Sequence, residues 1–397
     1  MRFPEFSGEW KCTTIGNIGD IKNGPFGSVL HAEDYVENGI PIVTTEHFKT
    51  GLMPSDKFGI PQVSNEDYIR LKGYRLETND IVFSRVGSVD INAHVGIEQN
   101  GWLFSGRVLR VRPKYDIDSL FLHYALSTEA VKRDIRNRAV GQTMPSINTP
   151  ILSSTTIQLP KDLFEQKKVA HFLRLLDERI ITQNKIIEDL KKLKSAISKH
   201  LFARKDLLET TICLSNIATL KNGYAFQSGM YNALGKWKIL TISNVSGERY
   251  INDKDCNCII KLPNDIQDHQ VLKEGDILIS LTGNVGRVSL CKDGDYLLNQ
   301  RVGLLQLAKN VNQEFLYQIL SSQRFENSMI ACGQGAAQMN IGKGDVESFV
   351  LPYSSNVNNI RLVAKILHLY DECVINELRR LILLTMQKQY FLAQMFI

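Results

Sequence analysis

The sequence has no run of about 18 apolar residues of the kind that crosses a bilayer, and it starts Met-Arg-Phe-Pro-Glu-Phe-Ser-Gly, without the apolar core of a signal peptide. It has seven cysteines, an odd number without the spacing of a disulfide framework. Hydrophobic residues make up 43% and charged residues 22% of the chain, which is ordinary globular composition. We therefore expect a soluble, cytoplasmic protein with reduced thiols and no membrane partner.

Motifs for chemistry on nucleotides are also missing. No Pro-Pro dipeptide occurs, which excludes the Asn-Pro-Pro-aromatic motif of an adenine methyltransferase. Residues 341–344 (Ile-Gly-Lys-Gly) resemble part of a phosphate-binding loop. They lack the glycine five positions before Gly342, where Ala337 stands, and the Ser or Thr after Lys343. We expect no catalytic residues and no ATP site in this chain.

Nuclease and metal sites are equally weak candidates. Residues 162–167 contain the acids and lysine of a nuclease site, but they crowd onto one helix start instead of spanning two strands. Asp162 is better explained as a helix N-cap, with Glu165 completing a capping box. Cys256 and Cys258 would need two further soft ligands nearby to hold a metal. The sequence therefore predicts no metal site.

What the chain does contain is an internal repeat, at an offset of about 194 residues. Matching segments follow one another in the same order in both halves, which predicts two similar units. The matching pairs are residues 21–24 with 220–223, 79–84 with 275–280, and 141–160 with 333–352.

Each half ends in a segment whose apolar residues recur three and four positions apart, from about Phe164 to Ala203 and from about Asn359 onward. This spacing predicts two coiled-coil helices, each about 60 Å long. We predict an α+β fold in which two similar α/β units are separated by two long antiparallel helices, a pseudo-two-fold dimer within one chain. The predicted seam residues are Leu173, Leu176, Ile180, Ile187, Leu190, Ile197, Leu201, Leu367, Val374, Leu381, Leu384 and Phe391.

Polar residues in this seam suggest a register. Pairing a with d positions places Lys194 opposite Glu377 and Gln183 opposite Lys388. The alternative, in which these side chains extend to solvent, stays open. Apolar residues beside the seam are expected to be covered either by the globular units or by another protein. The predicted divisions are residues 1–160 and 209–352 for the two units, and 161–208 and 353–397 for the helices.

Candidate DNA-contacting residues come from loops that combine glycine with polar or basic side chains. The net charge of +5 favours an anionic partner only weakly. Glycine permits close backbone approach, and the flanking side chains can bond bases or phosphates. Tight turns between strands would explain the same loops. The candidates are Lys72, Arg75, Arg85, Ser88, Arg107, Gln142, Thr143, Thr282, Asn284, Arg287, Gln334 and Lys343.

The ordered set of features carries a family resemblance. A Gly-Gln loop, a Leu-Pro exit and then residues 165–170 (Glu-Gln-Lys-Lys-Val-Ala), leading into residues 176–178 (Leu-Asp-Glu), resemble the specificity subunit of type I restriction-modification enzymes. The second copy keeps the helix pattern but has Asn358-Asn359 in place of an acidic-Gln pair. The resemblance covers essentially the whole chain. It implies that each unit is a target recognition domain that reads one half of an asymmetric double-stranded DNA site, with the helices setting the spacer.

The resemblance also implies partners. Two modification (methyltransferase) subunits would dock on the helices and flip an adenine from each half-site. Restriction subunits would add ATP-dependent translocation and cleavage. S-adenosylmethionine, ATP and Mg²⁺ would belong to those partners, with no cofactor on this chain. Two alternatives remain: a related modification system without a restriction subunit, and a non-DNA coiled-coil scaffold with two ligand-binding heads.

Overall fold

The computed structural model describes residues 1–25, 32–333 and 339–396. The chain divides into two compact units. Unit 1 comprises residues 1–183 and 380–397, and unit 2 comprises residues 184–379. Both units combine helices with sheets, and both include part of each long helix. The predicted α+β class with two similar units is confirmed.

The first half of the chain contains ten strands and six helices within its described residues. The strands are β1 (Lys11–Thr14), β2 (Gly19–Asn23), β3 (Tyr35–Val36), β4 (Ile40–Val43), β5 (Gln62–Val63), β6 (Ile81–Ser84), β7 (Asn92–His94), β8 (Leu103–Phe104), β9 (Val108–Pro113) and β10 (Thr156–Leu159). The helices are α1 (Ile15–Ile18), α2 (Asn65–Arg70), α3 (Ser119–Leu126), α4 (Glu129–Arg138), α5 (Thr149–Ser153) and the long α6 (Leu163–Ala203).

The second half continues with further strands and helices. The strands are β11 (Thr210–Cys213), β12 (Ala218–Asn222), β13 (Trp237–Leu240), β14 (Asn257–Ile259), β15 (Ile277–Ser280), β16 (Val288–Leu290), β17 (Tyr296–Leu298), β18 (Val302–Leu307) and β19 (Val350–Tyr353). The helices are α7 (Gln313–Leu320), α8 (Gln323–Cys332), α9 (Lys343–Glu347) and the long α10 (Val357–Met395).

Strand order shows the repeat directly. Unit 1 has an antiparallel sheet in the order β2-β9-β6-β7, and unit 2 has one in the order β12-β18-β15-β16. The pair β1-β10 in unit 1 has its counterpart in the pair β11-β19 in unit 2. In unit 1, β4 runs parallel to β8 in a second sheet, and in unit 2, β13 runs parallel to β17. The two halves therefore share one topology.

The central strands explain why the repeated segments 79–84 and 275–280 are so apolar. Successive side chains of a strand point to opposite faces of the sheet. In β6, Ile81 and Phe83 enter the core that also contains α3, whereas Val82 enters the core on the other face. In β15, Ile277 and Leu278 divide between two cores in the same way. Both faces are covered, so neither strand shows a polar alternation.

The long helices run antiparallel. In unit 1, the rings of Phe172 on α6 and Phe391 on α10 lie 4.8 Å apart, and five residues further along α6 the carboxylate of Asp177 contacts Lys388. Residue numbers along α6 therefore rise in the direction in which those along α10 fall. Each predicted seam residue is buried or half-buried, and Leu173 and Leu367 are fully buried. No helix of the described residues is long and apolar enough to cross a bilayer.

The predicted register of these helices is wrong. Lys194 contacts Asp371 at 2.5 Å, and Lys388 contacts Asp177 at 2.5 Å, in place of Glu377 and Gln183. Glu377 lies six residues beyond Asp371, more than one turn of about 3.6 residues. The prediction paired polar seam positions only with each other. The long lysine side chains instead reach carboxylates that flank the seam and receive further donors from the globular parts.

Asx side chains begin both long helices. The side chain of Asp162 accepts a hydrogen bond from Phe164 N at 2.8 Å, and that of Asn356 accepts one from Asn358 N at 2.9 Å. Both satisfy backbone donors that have no partner within the helix. The capping-box role expected for Glu165 is wrong, because its buried carboxylate pairs with Arg2 at 2.6 Å.

Candidate nucleic-acid interface

Three loops of unit 1 meet at one end of its main sheet. We call residues 85–88, 106–107 and 140–146 loop cluster 1. Arg85 N donates to Arg107 O at 2.9 Å, and Gly87 N donates to Pro145 O at 2.8 Å. Arg85 follows β6, and Arg107 precedes the antiparallel neighbour β9. The sheet therefore brings together segments that lie far apart in the sequence.

Two glycines shape loop cluster 1. Gly87 has φ 82° and Gly141 has φ 103°, a region that side chains with a Cβ rarely adopt. A Cβ on Gly141 would come within 2.8 Å of the carbonyl oxygen of Met144. The sequence places glycine at these positions because the turns require it, which agrees with the tight-turn explanation. Contact of these loops with DNA stays a prediction.

Loop cluster 1 contains five of the predicted candidates. Ser88, Arg107, Gln142 and Thr143 have exposed side chains. Arg85 is half-buried and donates from Nη1 to the carbonyl oxygen of Gly106 at 3.1 Å. The exposed group offers a guanidinium, an amide and two hydroxyls, all of which can bond bases or phosphates.

Lys72 and Arg75 lie in a different segment of unit 1. Lys72 is exposed in a short 3₁₀ turn, Lys72–Tyr74. The guanidinium of Arg75 lies 3.9 Å from the ring centroid of Tyr68 and donates to Tyr68 O at 3.3 Å. Arg75 thus has a packing role in the fold.

Unit 2 builds the corresponding structure, loop cluster 2, from residues 281–287, 301 and 339–341. Leu281 N donates to Arg301 O at 3.0 Å, matching the Arg85–Arg107 bond of unit 1, and Gly283 N donates to Met339 O at 2.9 Å. Thr282 Oγ1 donates to Asn340 Oδ1 at 3.0 Å. These contacts join the same three chain segments as in unit 1.

The predicted candidates of unit 2 differ in exposure. Asn284 and Lys343 are exposed, whereas Thr282 is buried and its hydroxyl is used within the cluster. Arg287 is half-buried, with Nε 3.6 Å from the carboxylate of Glu326. Gln334 lies outside the described residues. The polar groups that loop cluster 2 exposes to a partner are therefore the amide of Asn284 and nearby basic groups.

One of those basic groups escaped the selection made from the sequence. Arg301 is exposed and precedes β18 as Arg107 precedes β9. The signal was present, since Arg-Val occurs at residues 107–108 and again at 301–302. Neither arginine forms an ion pair with another described residue, so both guanidiniums are available to an external anion.

Most of the other arginines of unit 1 are neutralised internally. Arg112 binds Asp80 at 2.7 Å, and this hydrogen bond is the largest cause of its raised pKa. Arg110 pairs with Asp20, and Arg136 pairs with Asp90 at 2.5 Å. These three guanidiniums are therefore less available to an external anion than that of Arg107.

One histidine of unit 1, His123, is buried in the core. Burial lowers the pKa of His123 to about 3, and its Nδ1 lies 2.6 Å from Asn92 Oδ1. This histidine is neutral and held in the core. Across the three described ranges, no group of three or more His, Cys, Asp or Glu side chains is placed to hold a metal ion.

A family model and a known relative match most of this chain. The family model described as "Type I restriction modification DNA specificity domain" matches residues 7–192 and 209–385. The chain is 27% identical over 354 residues to the specificity subunit of the type I restriction enzyme MjaVIII of Methanocaldococcus jannaschii, covering 83% of this chain and 78% of that protein.

Two solved structures have a similar fold. The S subunit of a type I restriction-modification system from M. genitalium matches with a TM-score of 0.59 and 17% identity, covering 100% of this chain and 99% of that one. A chain from a structure of the assembly and conformational transition of the type I R-M system matches with a TM-score of 0.60 and 15% identity. The match covers 99% of this chain and 98% of that one. Because the family model matches both halves and most of the sequence, this chain belongs to the type I restriction-modification DNA specificity family.

Proposed function

We propose that this protein is the sequence-specificity subunit of a type I restriction-modification complex and binds a bipartite, asymmetric site on double-stranded DNA. One observation carries the proposal: the same glycine-shaped loop cluster, with an exposed arginine at the equivalent position, occurs once in each unit. The side chains around the two arginines differ. Ser88 and Gln142 lie in loop cluster 1, whereas Asn284 lies in loop cluster 2, so the two half-sites should differ.

The chemistry of the clusters supports direct contact with DNA. An arginine guanidinium bonds phosphates or the paired acceptors of guanine, and a glutamine or asparagine amide matches the donor and acceptor of adenine in the major groove. We place the recognition domains at residues 1–160 and 209–352. We assign residues 161–208 and 353–397, which contain α6 (Leu163–Ala203) and α10 (Val357–Met395), to the helical segments that set the spacer between half-sites.

The helices also offer a surface for protein partners. In unit 1, an open groove of about 530 Å³ is lined by apolar side chains and by polar or charged ones, namely Phe172, Leu175, Leu176 and Leu384 together with Glu178, Arg179, Thr182 and Gln183. Leu175, Leu383 and Met386 are exposed, although such large apolar groups are usually covered in an assembly. We propose that two modification subunits pack on this apolar side of the helices and that restriction subunits join them. S-adenosylmethionine, ATP and Mg²⁺ would be bound by those partners, in the cytoplasm where the DNA lies.

Affinity for duplex DNA should depend steeply on salt. Contacts from arginines to phosphates release counterions, so the logarithm of the association constant falls linearly with the logarithm of the salt concentration. Fluorescence anisotropy with the full chain and a labelled duplex measures the slope. No binding to the duplex at low salt, or an affinity that does not change with salt, would favour the non-DNA scaffold.

Replacing Arg107 or Arg301 by Ala should weaken specific binding by about 1–3 kcal/mol, which is about fivefold to 150-fold. Each change removes one exposed guanidinium and leaves the backbone bonds of its loop cluster in place. Titration of the specific duplex with each variant gives the affinity. Arg379→Ala, an exposed arginine on α10, is the matched control and should bind as the unaltered chain does. Equal losses in all three variants would contradict a local role for the loop clusters.

A further inference from the structure

A carboxylate on α6 joins three elements of unit 1. Asp177 accepts from Lys388 Nζ on α10 at 2.5 Å and from Tyr124 OH on α3 at 2.7 Å. The side chain of Asp177 is 14% exposed. The contact connects the helix pair to the globular part, since α3 packs in the main core of that part.

Unit 2 repeats this arrangement at the equivalent residue of α10. Asp371 accepts from Lys194 Nζ on α6 at 2.5 Å and from Gln318 Nε2 on α7 at 2.6 Å. Gln318 stands in α7 where Tyr124 stands in α3, and both are separated from their carboxylates by 53 residues. The donor from the globular part differs between the two units. In both units, the carboxylate on one long helix accepts from a lysine on the opposite long helix and from a side chain on a short helix of the globular part.

These contacts favour one register of the two long helices, whereas the apolar seam does not distinguish one register from another. Leu and Ile side chains recur along the seam, so a shifted pairing would still bury apolar surface. A largely buried carboxylate is satisfied only where its donors converge, and a shift would leave it and the lysine desolvated without partners. The hydrogen bond from Tyr124 or Gln318 then places the globular part at one position along the helices.

We infer that Asp177 and Asp371 are positioning residues that hold each recognition domain at a fixed place along the helix pair and so restrict the DNA spacer that the protein accepts. The inference rests on the proposed function, because a spacer exists only if both domains bind one DNA molecule. It assigns spacer selectivity to two named contacts of this chain, in addition to helix length.

Asp371 has more hydrogen-bond donors around it than Asp177. Asp371 also accepts from Arg249 Nη1 at 2.9 Å, and the same guanidinium forms a two-point contact with Glu314. Asp177 has Tyr124 as its donor from the globular part. Unit 1 is therefore the more sensitive place to test the inference, since one hydroxyl can be removed there without opening a larger charged network.

The test uses Tyr124→Phe in the full chain. The bipartite duplex is first obtained by selection from a random library, and affinities are then measured for duplexes whose spacer is shorter or longer by one base pair. A hydrogen bond to a charged group contributes enough to change an equilibrium by about tenfold. We expect the preference for the selected spacer over its neighbours to fall by about that factor. Lys388→Met, which removes the second donor to Asp177, should act in the same direction.

Lys192→Met is the matched control, because it breaks an exposed pair with Glu188 on the same helix. It should leave the spacer preference unchanged. Tyr124→Phe overturns the inference if it keeps the full preference, or if it weakens binding equally for every spacer, as a purely structural residue would. Binding by the unaltered chain without any spacer preference overturns it as well. No binding to any duplex by the unaltered chain instead refutes the proposed function.

Discussion

Arg249→Met is expected to lower the free energy of unfolding of unit 2 by about 3–5 kcal/mol. The side chain of Arg249 is 8% exposed and contacts Glu314 at 2.6 Å and Asp371 at 2.9 Å. Methionine fills a similar volume but leaves both carboxylates short of a donor in a site with little water. Removing one partner of a buried ion pair costs far more than the pair itself contributes.

The charge state of this network predicts how the effect depends on pH. Burial alone would lower the pKa of Arg249, but hydrogen bonds with Glu314 and Tyr250 and the nearby carboxylates raise it. Burial would likewise raise the pKa of Glu314, yet the bonds from Arg249 and Gln318 hold it below its ordinary value of 4.5. A carboxylate with a lowered pKa stabilises the fold above its ordinary pKa, and this stability is lost as the pH falls through the lowered value. The difference between Arg249→Met and the unaltered chain should therefore shrink in acid.

Urea denaturation of the full chain, followed at neutral pH and below pH 4.5, measures both effects. Arg287→Met is the matched control, because its side chain is 39% exposed and lies 3.6 Å from Glu326. A partly exposed pair of this kind contributes about 0–1 kcal/mol. If both variants lose equal stability, or if the loss from Arg249→Met is the same at both pH values, the buried network is not what stabilises unit 2.

Exchange of residues 1–160 for the matching unit of another family member is expected to change one half of the recognised DNA sequence and leave the other half intact. Loop cluster 1 lies wholly within these residues, and loop cluster 2 lies within residues 209–352. Binding to the original site should fall toward the non-specific level, a loss of at least about 10³-fold. Selection of bound duplexes from a random library identifies both half-sites of the hybrid protein.

The reciprocal exchange of residues 209–352 is the control and should alter only the other half-site. The spacer length should stay unchanged in a hybrid whose incoming unit supplies a donor where Tyr124 or Gln318 stands, because Asp177 or Asp371 then keeps its contact with the globular part. A hybrid that recognises two new half-sites would contradict independent recognition by the two units.

The sequence predicted most accurately the features that depend on local pattern. The apolar period of α6 and α10 identified residues that are buried or half-buried in the structure, because a helix buries one stripe whatever its partner. Glycine at residues 87 and 141 marked the turns of loop cluster 1, since positive φ angles restrict the choice of residue. The matching segments of the repeat identified two units with one strand order.

The sequence did not correctly predict features that depend on residues distant in the chain. Thr282 and Arg301 both lie in loop cluster 2, but the structure uses the hydroxyl of Thr282 internally and exposes Arg301. Composition cannot distinguish these outcomes, because each depends on which loop lies beside the residue. The register failed for the same reason, since the donors that complete Asp177 and Asp371 come from α3 and α7, outside the helix pattern.

By itself, then, the sequence determined the repeat, the two long helices and the glycine-containing turns, because each is encoded by residues near one another in the chain. Tertiary structure alone decided which carboxylate pairs with which lysine and which polar side chains stay exposed. Those outcomes depend on desolvation and on the convergence of donors from several elements, and both quantities exist only once the chain has folded.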